Sequence, residues 1–262
     1  MFGLATALSL ALLATPDPTA LPTAPRIEST QTVRTDAQLL TSIREALAGT
    51  ETGSVLSVLA AGFPDDYAAL EQRMLVRARA GTLDAAALDT MGAAFASTMM
   101  TGHMDRVVGA RTEDLVALSA VRLDLLKALQ QGHAAACHEF VEAGLTPGRI
   151  AELGATGSRG LEVLSRAVIT IIAQPPRSVA HPEPTIEAWE PIGRRYAEMG
   201  GNPAWLAALF GDRNYADQSH TGRCASAIMW EAAVSEAAPE VRAYYISALY
   251  IAPPAQPAAT AP

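Results

Sequence analysis

Apolar residues recur along this chain at spacings of three and four, the period that gathers side chains on one face of an α-helix. Between Asp36 and Ala48 they are Leu39, Leu40, Ile43 and Leu47. A short apolar segment, Ser54 to Ala61, follows. Phe63-Pro64-Asp65-Asp66 then opens a strong helix, because proline suits a first turn and acids there complement the positive end of the helix dipole. Gly81 closes it, after Arg77 and Arg79. Thr82-Leu83-Asp84 starts the next, with Leu88, Met91, Phe95, Met99 and Met100 forming its core face. The most regular pattern begins at Thr112-Glu113-Asp114 and runs through Leu115, Leu118, Leu125, Leu126 and Leu129 to Gly132. His133 to Ala143 makes a shorter helix.

Leu161 to Ile172 is the most apolar segment. Its composition would suit a strand, but the chain offers it no pairing partner, so it is expected to be a buried helix. Residues 174–185 carry four prolines and form the one internal linker. Beyond it the pattern predicts helices over Thr185–Met199, Asn202–Phe210, Thr221–Glu236 and Pro239–Tyr250. The sum is an all-α fold, an irregular multi-helix bundle of roughly 9–11 helices. We expect a single compact domain over 35–250, with a main bundle at 35–173 and the C-terminal helices at 185–250.

The two ends do not read as part of that fold. Phe2 to Ala14 is an apolar run of signal-peptide length, too short to span a bilayer. Pro16, Pro18, Pro22 and Pro25 follow it at once, so 1–24 is expected to be a signal peptide with a proline-rich leader. No transmembrane span is expected after its removal, which places the mature chain in the periplasm or outside the cell. At the other end, Pro253, Pro254, Pro257 and Pro262 alternate with alanine, so 251–262 reads as a disordered tail.

Composition sharpens this picture. Alanine dominates the apolar half of the 262 residues and aromatics make up 5%, which favours helices over strands. A net charge of −8 argues against nucleic acid, whose phosphates call for clustered cations. Lys127 is the only lysine, and it lies on a helix surface by pattern. Cys137 and Cys224 are the only cysteines. Their separation excludes a CxxC motif, and export makes a disulfide the expected state, with two buried thiols as the alternative. No metal or cofactor motif is present.

Three constellations carry candidate chemistry. His133, Cys137, His138 and Glu139 lack the four-residue histidine spacing of a zinc protease helix, although His133 and Cys137 share a face. The run from Gly154 to Gly160 contains three glycines and Arg159 just before a helix, an arrangement that could hold an anion. The polar stretch 211–223 is the third. In it Asp217 and His220 could act as an acid–base pair and Ser219 as a nucleophile. Arg213 and Tyr215, together with Trp205 and Trp230, could line a ligand pocket. The sequence thus points to an exported cell-envelope helical protein, a non-catalytic binding or interaction module with a protein or small-molecule partner in the envelope. The alternative is a small hydrolase built on the 211–223 loop.

Overall fold

The computed structural model describes residues 34–142, 144–205 and 219–251. The expected signal and leader at 1–24, all but Ile251 of the expected tail at 251–262, most of the expected 202–210 helix, and Arg213, Tyr215 and Asp217 lie outside the described residues. Among the described residues the regular structure is all helical, in twelve complete helices. Two of these, at Met104–Val108 and Pro147–Ala151, are single turns of five residues. Contacts between helices group the chain into two units, with the boundary at Ala96/Ser97.

The first unit holds α1 (Asp36–Leu47), α2 (Glu51–Gly62), α3 (Pro64–Arg79) and most of α4 (Ala85–Gly102). Thr35 caps α1 through a reciprocal arrangement in which its hydroxyl accepts from Gln38 N while Gln38 Oε1 accepts from Thr35 N. Pro64 begins α3 and Gly81, at φ +68°, follows its end, a left-handed conformation that glycine adopts without strain. Leu56, Leu59, Leu70 and Met74 form the centre of this unit, each 1% exposed or less. Gly92 lets α2 and α4 cross closely, since a β-carbon there would stand 2.4 Å from Thr52 Cγ2. Thr52 donates to Asp89 Oδ1 at 2.9 Å across that crossing.

In the second unit α6 (Thr112–Gly132) is the hub. Against it pack α7 (Ala134–Glu142), α9 (Ala155–Ile172), α11 (His220–Ser235) and α12 (Pro239–Tyr250). Leu115, Leu118, Leu125, Leu126 and Leu129 are all buried, as their spacing requires. The remaining helices are α5 (Met104–Val108), α8 (Pro147–Ala151) and α10 (Ile186–Glu198). The glycine-rich run at 154–160 is a correction to the sequence reading. It is not an open loop: Gly154 is the N-cap of α9 and the rest is helix. Gly160 serves packing instead, because a β-carbon there would come within 3.0 Å of Leu125 Cδ1 on α6.

The proline-rich stretch between α9 and α10 is irregular but anchored. Val179 N donates to Gly109 O at 3.1 Å, and His181 Nε2 lies 2.8 Å from Ala110 O. Arg106 Nη1 donates to Ile172 O at 2.7 Å, fixing the start of the stretch to α5. Beyond it, the C-terminal aromatics form their own cluster. Trp189 stacks on Trp230 at 6.1 Å between ring centroids, and Tyr196 meets Trp230 edge-on at 6.0 Å and Trp205 at 6.2 Å.

Candidate functional site

Two of the three constellations separated by about eighty residues in sequence come together where α7 meets α11. The cause is a disulfide between Cys137 and Cys224, whose Cα atoms are 5.6 Å apart. Both sulfurs are fully buried. On α7 the next residue is His138; on α11 His220 stands one turn before Cys224. The bridge therefore sets the two imidazoles against each other, with Nδ1 to Nδ1 at 2.7 Å and ring centroids 4.8 Å apart.

Charged groups surround the pair. Glu142 Oε1 lies 2.7 Å from His138 Nε2, and Arg223 Nη1 lies 3.0 Å from both of those atoms. Arg149, on α8, grips Glu139 of α7 through two hydrogen bonds of 3.0 and 2.6 Å, and also reaches Glu152. The Arg149 hydrogen bonds to Glu139 hold that carboxyl below its ordinary range, and the Arg149 charge adds to the effect. The same contacts raise the Arg149 guanidinium well above its usual value. Glu142 and Arg223 thus contact the histidine pair beside the disulfide, and Glu139, Arg149 and Glu152 form an adjoining ion-pair cluster.

The other sequence candidates find plain positions. His133 caps the end of α6, and its Nε2 accepts from Gly154 N at 3.1 Å. Cys137, being disulfide-bonded, offers no thiolate to a face shared with His133. Ser219 is the N-cap of α11, its hydroxyl accepting from Gly222 N at 3.1 Å. Trp205 and Trp230 are buried at 4% and 3% exposure within the aromatic cluster. Of the described loop candidates, His220 is the one that the structure brings into a polar constellation, where it meets His138. His138 was named in the sequence only for its failure to make a zinc-protease spacing; the available signal was its position beside Cys137, matched by that of His220 one turn before Cys224.

What the arrangement can do is limited by its chemistry. Among the described residues no group of three or more His, Cys, Asp or Glu is placed to hold a metal ion. A further concavity of about 440 Å³ lies in the first unit beside Arg44, Thr50, Ser54 and Tyr67. There Arg44 is committed to Glu71 by hydrogen bonds of 2.7 and 2.8 Å. No described helix is long and apolar enough to cross a membrane. Comparison of the chain with protein-family models, with curated proteins and with solved structures finds no match.

Proposed function

We propose that the chain is an exported cell-envelope protein, periplasmic or secreted, that works as a non-catalytic binding module. The observation that carries this reading is the Cys137–Cys224 disulfide, a bond that persists in oxidising compartments and is rare where thiols are kept reduced. The recognition surface is the polar face formed by α7, α8 and the first turn of α11, presenting Glu139, Glu142, Arg149 and Arg223 over the buried His138. Its groups are hydrogen-bonded to one another, which suits a preorganised surface for a polar partner better than a hydrolytic site. The hydrolase alternative is weakened by Ser219, whose hydroxyl is engaged as a helix cap.

The test is to recover the protein from its own host after chemical cross-linking, and to weigh it intact with and without reductant. A shortened N-terminus, a mass that rises by two hydrogens on reduction, and a partner cross-linked through residues near Glu142 or Arg223 are the expected results. An unprocessed N-terminus with two free thiols would overturn the export reading. A processed, disulfide-bonded chain with no partner cross-linked at this face would overturn the binding reading alone.

A further inference from the structure

We propose that His138 and His220 form a proton-operated latch between α7 and the first turn of α11. The latch concerns the chain's own conformation and stands whether or not the surrounding face has a partner. A contact of 2.7 Å between two Nδ1 atoms is a hydrogen bond only if one nitrogen carries a proton and the other offers a lone pair. Both neutral tautomer arrangements satisfy this. If His138 Nε2 donates to Glu142, its Nδ1 accepts from His220. If His138 Nε2 instead accepts from Arg223, its Nδ1 donates to His220.

Adding one proton preserves the latch. His138 then donates from both nitrogens, to Glu142 and to His220, and the bond between the rings becomes charge-assisted. Adding a second proton destroys it, because both facing Nδ1 atoms carry hydrogens and neither can accept.

The neighbouring charges set the same limit. Glu142 from α7 and Arg223 from α11 touch the pair, and next to them lie Glu139 from α7, Arg149 from α8 and Glu152. Further along α11, Glu231 is committed to Arg122 of α6 and contacts neither histidine. The five surface charges sum to −1, so a first proton on the pair brings this face to neutrality and a second makes it positive. His220 also occupies the first position of α11, where the helix dipole opposes a cation. Imidazole is the side chain that ordinarily changes charge between about pH 5 and 8, so acidification of an extracytoplasmic compartment is the natural trigger.

The disulfide limits how far the latch opens. Cys137 immediately precedes His138 and Cys224 lies one turn after His220, so the helices stay tied while the histidines part. The opening is therefore confined to the turn His220–Arg223, and the core beneath it is unaffected.

The experiment is an acid titration of the oxidised, full-length protein, following the imidazole ¹⁵N signals and the amide exchange of residues 222–224, whose amides are the first of α11 with acceptors. The first protonation should retain a hydrogen-bonded Nδ1 signature. The second should abolish it together with the exchange protection of the first turn of α11, while Leu125 and Leu126 on α6 keep theirs. His138→Gln and His220→Gln should each remove this pH-dependent loss. Two rings that titrate independently, without any change in protection, would overturn the latch, and so would an unchanged loss in both variants. If either variant fails to fold, the ring signals of the native protein decide alone.

Discussion

Arg122 Nε meets Glu231 Oε1 at 2.7 Å in the interior of the second unit, with side-chain exposures of only 6% and 2%. The guanidinium also lies over the Phe140 ring, 4.9 Å from its centroid, and Tyr245 donates to the same Glu231 oxygen at 3.0 Å. The pair joins α6 to α11 and so lies beneath the helix that carries His220.

Breaking this pair on one side should cost more than removing it altogether. Arg122→Met leaves a buried, uncompensated carboxylate, and Glu231→Gln a buried, uncompensated guanidinium. We expect each to lower unfolding free energy by about 3–5 kcal/mol. The double variant Arg122→Met/Glu231→Gln should lose far less than the sum of the two singles, since neither charge is left without a partner. Urea denaturation of the four proteins gives the coupling directly; additive losses would show that the two charges are solvated independently.

High pH should destabilise the second unit. Burial first, and then the negative charge of Glu231, push the Tyr245 phenol well above its ordinary value. Burial likewise raises Tyr196 and Tyr250. Unfolded tyrosines lose their protons near pH 10, while these folded ones retain theirs. Their contribution is thus intact below about pH 10 and is lost as pH rises from there towards the folded values. The denaturation midpoint should fall on this alkaline limb, and less steeply in Tyr245→Phe.

Reduction should weaken the fold substantially. The bridge closes a loop of 87 residues, which in the chain-entropy account stabilises by about 4–5 kcal/mol. Denaturation midpoints with and without reductant measure the loss. A change under 1 kcal/mol on the roughly 2–5 kcal/mol scale of natural bridges would mean that the reduced chain holds α7 and α11 together by packing alone.

Gly53→Ala should be disproportionately harmful for a surface-accessible helix position. A β-carbon at residue 53 would stand 2.0 Å from Leu47 O, a backbone atom that cannot step aside alone. We expect a loss of about 1–3 kcal/mol by overpacking, where an exposed helical glycine would ordinarily gain from alanine. Thermal unfolding of the variant checks the sign.

Helix positions were legible because they follow from local chemistry. Pro64, Gly81, Thr112 and Gly132 sit at or beside helix ends in both the pattern and the structure. The apolar segment ending at Ile172 folds as the buried helix expected of it, extended back to Ala155. That extension was hidden because glycines 157 and 160 look like loop residues, and only the approach of Leu129 and Leu125 explains them. The histidine pair was hidden for a different reason. His138 and His220 are 82 residues apart, and nothing local to either predicts the other. The cysteines offered the one long-range clue, and following the bridge from Cys137 to Cys224 leads to both histidines.

The anchoring of the proline-rich stretch on Gly109 bears on how the gene can be divided. Its composition marks 174–185 as a natural place to end a shortened protein. Stopping there would take away Val179 and His181, which satisfy the carbonyls of Gly109 and Ala110. It would also strip α11 and α12 from the leucine face of α6, and leave Arg122 and Cys137 without their mates. Fragments cut at that stretch should therefore be insoluble, whereas an expression boundary placed after Ile251 keeps every one of these contacts.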